Sequence, residues 1–234
     1  MIDTHCHLLP GLDDGPRTPE ESIDLARSLL RDGIDRVLCT PHYSPQFPTS
    51  HADAEARLRE LRPEFERLGL ETALSAEVSP GHAVSAPLPE LRARAIAGRF
   101  LLVEVLRDTP AAFFEAAFAR LGEVSLTPVF GHPERCRALQ RSTRLADRIL
   151  HDGGVLQVVA PSLIGRFGDE AAAAGWRLVD TGRAGLVASD AHGTRRRSCH
   201  LGEAARLVGE RLGEAAADEL TEHGPARLLA GKPP

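Results

Sequence analysis

Short apolar runs alternate with amphipathic stretches along the whole chain. Seven runs have the length and composition of β-strands, at residues 1–3, 36–40, 71–76, 100–105, 125–130, 155–159 and 185–188. Apolar residues that recur every three or four positions predict helices at 18–32, 52–68, 111–121, 143–152, 169–182, 201–211 and 214–229. Strands that are apolar almost throughout are typical of a parallel sheet buried on both faces. The pattern therefore predicts an α/β fold built from seven β-α units.

The regular alternation of strands and helices also limits how the sheet can be arranged. A seven-stranded barrel resembling the TIM type fits best. The alternative is an open doubly wound sheet, but no glycine-rich phosphate-binding loop follows the first predicted strand. The 234 residues suit a single domain over 1–234, and no linker, repeat or low-complexity tract divides them.

Composition and charge narrow the classes of protein that are possible. With 42% hydrophobic and 26% charged residues, the chain has the composition of an ordinary globular protein. Its formal net charge of -5 argues against a basic nucleic-acid-binding surface. The sequence shows no signal peptide and no apolar run long enough to span a membrane, and its cysteines are widely spaced. We therefore expect a cytoplasmic protein that neither inserts into a membrane nor binds nucleic acid.

Two histidines stand two positions apart in the opening stretch, Met-Ile-Asp-Thr-His-Cys-His. Because side chains alternate across a strand, His5 and His7 are expected to point to the same side. Asp190 and His192 repeat this spacing after the seventh predicted strand. Imidazole and carboxylate groups are common metal ligands, so two such pairs suit a metal site.

Five further candidate ligands end other predicted strands or follow them: Asp14, His42, Glu77, Glu104 and His132. The carboxyl ends of barrel strands form the active-site face, so all nine candidates would meet on one rim. Simpler alternatives exist, because Asp14 could be a turn residue, His42 could be a loop residue, and His132 and Arg135 could cap the next helix. Glu104 could meet solvent or an arginine, although an unpaired acid is costly to bury. Nine such placements together favour a metal site.

The number and type of candidate ligands predict which metal ions are bound, and nearby arginines are candidates for binding phosphate. Nine nitrogen and oxygen ligands exceed what one ion needs, so we expect two or three divalent ions, with Mn, Fe or Zn suited to the mixture. Planar guanidinium groups bind phosphoryl oxygens in bidentate geometry. Four arginines follow the last candidate histidines: Arg135, Arg195, Arg196 and Arg197. Part of the three-arginine run could instead be a solvated loop. Gln157, at the end of the sixth predicted strand, is expected to face the rim and contact substrate or water.

Two rival chemistries are excluded by the residues themselves. Barrel hydrolases that bridge their metals through a carbamylated lysine need that lysine on a middle strand, but Lys232 is the only lysine in the chain. Cysteine-dependent phosphatases need an arginine at C-x5-R spacing. The residues at that spacing after Cys6, Cys39, Cys136 and Cys199 are Leu12, Pro45, Ser142 and Ala205.

Six motifs taken together resemble the bacterial PHP-type protein-tyrosine phosphatases of capsular and exopolysaccharide loci. They are Met-Ile-Asp-Thr-His-Cys-His, Leu-Asp-Asp-Gly, Thr-Pro-His, Leu-Val-Glu-Val, Gly-His-Pro-Glu-Arg and Ala-Ser-Asp-Ala-His. The resemblance extends from residue 1 to the Gly-Pro-Ala-Arg-Leu-Leu segment at 224–229. It implies a distorted seven-stranded (β/α)7 TIM-like barrel of the PHP type.

The same resemblance implies a manganese-dependent protein-tyrosine phosphatase. It implies up to three ions held by His5, His7, Asp14, His42, Glu77, Glu104, His132, Asp190 and His192. In such a site Glu77 would bridge two ions, and Arg135 and Arg197 match phosphate-binding positions. The implied substrate is phosphotyrosine on the tail of a polysaccharide-assembly tyrosine kinase. Metal-activated hydroxide would hydrolyse it without a phosphocysteine.

Two other functions use the same residues and stay open at this point. A PHP phosphoesterase acting on a small substrate such as histidinol phosphate would need the same ligands. A regulatory metal-binding module that docks a kinase tail without turnover would be expected to lack a ligand or a phosphate-binding arginine, and the sequence lacks neither. A nuclease is disfavoured by the acidic balance of the chain.

Overall fold

Two parallel sheets form the centre of the molecule, in a computed structural model that describes residues 1–195 and 197–234. Nine strands occur in this part of the chain: β1 (Ile2–Cys6), β2 (Arg36–Cys39), β3 (His42–Tyr43), β4 (Glu71–Leu74), β5 (Glu77–Val78), β6 (Phe100–Glu104), β7 (Thr127–Gly131), β8 (Val155–Val159) and β9 (Leu186–Ala188). One sheet has the order β1-β2-β4 and the other β3-β5-β6-β7-β8-β9. Every strand pair is parallel, which confirms the predicted α/β class.

The division into two sheets comes from breaks in two of the predicted strands. β2 gives way to β3 at Thr40 and Pro41, and β4 gives way to β5 at Ser75 and Ala76. Proline has no backbone N–H and cannot donate to a neighbouring strand, which favours a break in the ladder at Pro41. The two chain segments stay adjacent across the break, since the N–H of Glu77 donates to the carbonyl of Pro41 at 3.1 Å. His42 therefore lies in a strand that pairs with β5, and the simpler alternative that it is a loop residue is wrong.

The first strand also contacts the segment that follows the last strand. Cys6 forms an isolated parallel bridge with Ala191. The N–H of Asp190 donates to the carbonyl of His5 at 2.8 Å, and the N–H of His7 donates to the carbonyl of Ala191 at 2.9 Å. These bonds place the ends of β1 and β9 side by side.

Twelve α-helices lie between the strands or after them in the described chain: α1 (Pro19–Arg31), α2 (His51–Leu68), α3 (Pro80–Ser85), α4 (Leu88–Ala93), α5 (Ala111–Gly122), α6 (Arg137–Arg141), α7 (Thr143–His151), α8 (Ala160–Leu163), α9 (Asp169–Asp180), α10 (Leu201–Leu212), α11 (Glu214–Asp218) and α12 (Gly224–Leu229). The start of α1 follows its sequence signals, with the Thr18 side chain accepting from the N–H of Glu21. Four short helices, α3, α4, α6 and α8, were not predicted, because a segment of four to six residues is too short to show a helical period. The single helix predicted at 214–229 is interrupted by a π-helical turn, Glu219–His223.

Most of the strands are buried on both faces, as their apolar composition predicts, whereas β3 and β4 are partly exposed. Along β6, Leu101 and Val103 belong to the large cluster that includes the helices, whereas Leu102 belongs to a smaller cluster on the other face. In the large cluster the ring of Phe114 from α5 lies 4.9 Å from that of Phe130 from β7, in an edge-on arrangement. This packing fixes the strand ends where the candidate ligands lie. No helix in the described chain is both long and apolar enough to cross a membrane.

Candidate metal centre

Most of the nine candidate ligands lie at or just after the carboxyl ends of the strands. Asp14 lies in the loop between β1 and α1, and His42 and Glu77 begin the short strands β3 and β5 that follow the breaks after β2 and β4. The strand register brings several of them together, since His42 in β3 pairs directly with Glu77 in β5. His5 and His7 lie at the end of β1, and their Nε2 atoms are 3.4 Å apart. Both histidines and Glu77 are fully buried. A set of ionisable groups at this depth needs a strong compensating interaction to be stable.

Eight of the nine candidates form three groups whose ligand atoms lie within 4.8 Å of one another. The groups are His7, Asp14, His42 and His192; His5, His7, Glu77 and Asp190; and His42, Glu77 and Glu104. Each group has the size and chemistry to hold a metal ion. His132, the ninth candidate, lies beside them, with its Nε2 2.9 Å from Oε1 of Glu77.

Glu77 is shared by two of these groups and has an unusual environment. Its Oε2 lies 3.0 Å from Nδ1 of His42 and 3.4 Å from Nε2 of both His5 and His7. This oxygen is nevertheless buried without a hydrogen-bond partner. A buried carboxylate oxygen that faces several imidazole nitrogens without hydrogen bonding to them fits a metal ligand.

Four of the five candidate histidines have, at Nδ1, an acceptor that is not one of the candidate ligand atoms. Nδ1 of His5 lies 2.9 Å from Oε1 of Gln157, and Nδ1 of His7 lies 2.7 Å from Oδ2 of Asp13. Nδ1 of His132 and Nδ1 of His192 face the carbonyl oxygens of Val105 and Asp190, at 3.1 and 3.0 Å. An acceptor at Nδ1 favours the proton there and leaves the Nε2 lone pair for a metal. Among these atoms, Nε2 of His192 is buried without a hydrogen-bond partner.

Asp13 and Gln157 are the functional residues whose roles the sequence analysis missed. In the sequence, Asp13 is only a part of the Leu-Asp-Asp-Gly motif, but its carboxylate contacts His7 and also accepts from the N–H of His42 at 2.9 Å. Gln157 was expected to face the rim and contact substrate or water. It lies instead within β8, fully buried, and its Nε2 donates to Oγ1 of Thr4 at 2.9 Å. Both residues orient histidines. Neither the periodicity of apolar residues nor the spacing of motifs could have predicted these side-chain contacts.

The charges in the centre are dominated by its carboxylates. Burial disfavours the charged ring of His42, but the nearby carboxylates of Asp14 and Glu77 outweigh this cost and raise its pKa to about 11. Burial also opposes the charge of Glu77, but the charge of His5 and the hydrogen bond to His132 hold the pKa of Glu77 well below its usual range. For Glu104, burial and the nearby charge of Glu77 both raise the pKa. The carboxylates of the centre therefore stabilise positive charge placed among them, as a cation-binding site requires.

Two of the predicted arginines lie at the edge of the centre. Nη2 of Arg197 donates to both carboxylate oxygens of Asp190, at 2.9 and 2.7 Å. Nη1 of Arg135 lies 3.7 Å from Oδ2 of the same carboxylate, and its guanidinium lies 4.4 Å from the centre of the Phe167 ring. Arg195 is exposed, and Arg196 lies outside the described residues. Of the described residues in the three-arginine run, Arg197 is therefore the one that contacts a candidate ligand.

Backbone strain is concentrated in the same place. Five non-glycine residues in the described chain have positive φ, and three of them are His132 at 40°, Asp190 at 52° and Arg197 at 53°. L-residues rarely occupy this region, which costs about 1–3 kcal/mol for a residue that is not glycine. The surrounding hydrogen bonds hold these residues there. Strained backbone of this kind is common at functional sites.

Two buried acids that are not candidate ligands support the loops around the centre. Asp3 accepts from the backbone N–H of Ser189 at 3.0 Å and from its hydroxyl, which ties β1 to the loop carrying Asp190. Oε1 of Glu134 accepts from the hydroxyl of Ser162 at 2.6 Å, which ties the turn carrying Arg135 to α8. Burial raises the pKa of Asp3 to about 6, because its hydrogen bonds only partly offset the cost of desolvation.

Fold and site together define a parallel α/β protein with a candidate multi-ion centre of histidines and carboxylates, flanked by two arginines. The family model for capsular polysaccharide synthesis, CpsB/CapC, matches residues 1–230. The chain belongs to the CpsB/CapC family.

Individual relatives agree with this assignment. The chain is 30% identical to the tyrosine-protein phosphatase YwqE of Bacillus subtilis over 236 residues, covering 98% of this chain and 91% of the relative. It is 25% identical to the tyrosine-protein phosphatase CpsB of Streptococcus agalactiae over 232 residues, 94% of each chain. A crystal structure from work on YwqE of Bacillus subtilis and CpsB of Streptococcus pneumoniae superposes with a TM-score of 0.84 at 27% identity, covering 99% of this chain and 95% of that one. That work describes the two proteins as unique metal-dependent tyrosine phosphatases.

Proposed function

We propose that this protein is a metal-dependent phosphatase that hydrolyses phosphotyrosine on proteins. The observation that carries the proposal is the buried, unbonded Oε2 of Glu77, which faces three imidazoles beside two arginines. Similarity to the metal-dependent tyrosine phosphatases supports the same activity. The expected substrate is a phosphotyrosine protein, and we extend this to the tail of a polysaccharide-assembly tyrosine kinase in the cytoplasm.

The proposal includes the arrangement of the fold around the centre. We propose that residues 1–234 form one domain and that the strands follow seven lines, with β2 continuing into β3 and β4 into β5. The bonds between β1 and the segment after β9 support closure of these lines into a distorted seven-stranded barrel of the PHP type. In such a barrel the carboxyl ends of the strands carry the chemistry.

The nine candidate residues would hold two or three divalent ions, and their mixed imidazole and carboxylate donors suit manganese, with iron or zinc as alternatives. Divalent ions in such a centre act as Lewis acids and activate water for attack on phosphorus. Glu77 belongs to two of the three groups, so its carboxylate is the expected bridge between two ions. Asp13 and Gln157 hold His7 and His5 in the orientation that presents Nε2.

Arg135 and Arg197 are the expected phosphate-binding residues. Both guanidinium groups approach the carboxylate of Asp190, so they converge on one side of the centre. Planar guanidinium groups at this position would bind the outer oxygens of the phosphoryl group and offset the charge that builds up during transfer. The ring of Phe167 supports the guanidinium of Arg135 from below.

A covalent mechanism through cysteine has no support. All four cysteines are buried. Burial raises the pKa of the Cys6 thiol well above its usual value and that of Cys39 to about 12. Because the thiolate is the nucleophile in such enzymes, these thiols are poor candidates.

The decisive experiment is metal-dependent turnover with three substrates. Chelator-treated protein is refilled with Mn, Fe, Zn or Mg and given a phosphotyrosine peptide, histidinol phosphate and single-stranded DNA. We expect manganese to restore phosphate release from the peptide, with little turnover of the other two. Faster turnover of histidinol phosphate would replace the proposed function with that of a small-molecule phosphoesterase. Metal binding without turnover of any substrate would indicate a regulatory module.

A further inference from the structure

A pocket of about 260 Å³ opens directly beside the metal centre. Its inner side is lined by Glu104, His132 and Arg135, and its outer side by Leu106, Arg107 and Phe167. We infer that the outer side is a subsite for the aromatic ring of the substrate and that Leu106 and Phe167 determine selection of aryl over alkyl phosphate esters. The inference rests on the proposed function, since it assumes a phosphoryl group at the centre.

Leu106 is the first observation that supports this assignment. It is 51% exposed, and the next most exposed large hydrophobic residue in the described chain is Leu212, at 42%. An exposed leucine at the mouth of a pocket beside candidate ligands is suited to cover an apolar part of a ligand. Contact with a ring would remove this leucine from water, which favours binding.

The loop that carries Leu106 is held in place by hydrogen bonds. The N–H of Leu106 donates to Oγ1 of Thr109 at 2.9 Å, and the carbonyl of Arg107 accepts from the N–H of Arg137 at 2.9 Å. A fixed wall does not have to be ordered when the ligand binds, so more of the contact energy contributes to affinity.

Phe167 provides the second wall and connects the ring subsite to the phosphate-binding arginine. It lines the pocket and also lies under the guanidinium of Arg135. A ring that fills the pocket would therefore contact the same side chain that supports Arg135. A serine or glycerol phosphate has no ring to place against Leu106 and Phe167, whereas the ring of phosphotyrosine extends away from its phosphate. The geometry thus links binding of the ring to the position of the catalytic guanidinium.

The charged residues at the pocket do not alter this assignment. Arg107 and Glu170 both line it and carry opposite charges. In the described chain no carboxylate lies within ion-pair distance of Arg107. A mixed rim selects for neither strongly acidic nor strongly basic substrates, so the apolar walls are left as the selective element.

The test compares a matched pair of ligands that differ only in the ring. Manganese-loaded protein is titrated by calorimetry with phenylphosphonate and with methylphosphonate, neither of which is hydrolysed. We expect the wild-type protein to prefer phenylphosphonate, and Leu106→Ala to reduce that preference about five-fold through lost apolar contact. Leu212→Ala is the matched control, because it truncates the other exposed leucine, and it should leave the preference unchanged. Metal content and melting temperature, measured for every variant, identify any loss of folding.

The role of Phe167 is tested by comparing the effect of its substitution on an aromatic and on an aliphatic phosphate substrate. Phe167→Leu should lower kcat/KM for a phosphotyrosine peptide more than for a phosphoserine peptide of the same sequence, and Phe167→Tyr should restore the wild-type ratio. Equal affinity of the wild-type protein for the two phosphonates, or an unchanged preference in Leu106→Ala, would overturn the subsite. A wild-type protein that prefers phenylphosphonate but releases no phosphate from any substrate would keep the subsite and overturn the phosphatase.

Discussion

The two ends of the parallel strands differ in a way that volume alone does not reveal. At the amino ends lies a pocket of about 670 Å³, lined by residues that include Arg99, Thr127 and Gly185. The pocket at the carboxyl ends is smaller, about 260 Å³, but it adjoins the three groups of histidines and carboxylates. No residue lining either pocket has a buried side-chain polar atom without a hydrogen bond, but Glu77 and His192, in the groups beside the smaller pocket, both have such an atom.

The charged residues at the amino ends are already paired within the protein. Nη1 of Arg99 donates to the carbonyl of Gly231 at 3.0 Å, and Nε of Arg183 donates to Asp147 at 2.7 Å. The carboxyl ends instead bring together buried groups that lack complete partners. The comparison teaches that unsatisfied buried ligand atoms mark the reactive end better than the size of a cavity does.

The largest effect is expected from Asp190, a member of one candidate group. Asp190→Asn removes the negative charge while keeping the shape, so metal content should fall and turnover should drop by more than the roughly 100-fold that loss of an outer-shell partner costs. The measurement is metal content by mass spectrometry together with kcat/KM on a phosphotyrosine peptide. Asp147→Asn, at the other end of the strands, is the control. Full metal content in Asp190→Asn would remove it from the centre.

Arg135→Ala should separate phosphate binding from metal binding. We expect metals to be retained and kcat/KM to fall roughly 10²- to 10³-fold, because a group that stabilises the developing charge is lost. Steady-state kinetics on metal-loaded protein measure this effect. Loss of the ions together with activity would show that Arg135 supports the centre and does not act on the phosphate.

Asp13 tests the effect of an orienting residue. Asp13→Asn weakens the acceptor that holds Nδ1 of His7, so we expect metal affinity to fall about 10- to 100-fold. Competition with a metal-binding dye gives the affinity. If affinity is unchanged while activity falls, Asp13 acts on the reaction and not on the histidine.

The smallest effect is expected at the amino ends. Arg183→Ala breaks an exposed ion pair with Asp147 that is screened by water, so the melting temperature should change little. Turnover and metal content should match the wild type. A large loss of activity in this variant would contradict the division of the molecule into a reactive and a structural end.

The sequence predicted the parts of this molecule that depend on local pattern. Seven apolar runs indicated the order of the strands, and motif spacing indicated where His5, His7, Asp190 and His192 would meet. It did not predict the breaks at Thr40–Pro41 and Ser75–Ala76, because a short strand such as β3 has too few residues to show alternation. Each break depends on pairing with a strand that is remote in sequence.

The contacts that orient the ligands were equally hidden. Gln157 reaches His5 across 152 positions of the chain, and Asp13 reads as a turn residue next to Asp14. A side chain that acts through a second side chain leaves no periodic signal in the sequence. Such residues become recognisable only when the remote strands that carry them are placed side by side.

The left-handed backbone at His132, Asp190 and Arg197 implies a trade-off between thermal stability and activity at these three positions. Glycine at any of the three positions would relax the backbone, yet it would also remove a side chain that the centre uses. A laboratory selection for survival at high temperature alone would therefore accumulate inactive proteins at these positions. Engineering a more robust version of this protein should hold the three residues fixed and seek its gains at the amino ends of the strands.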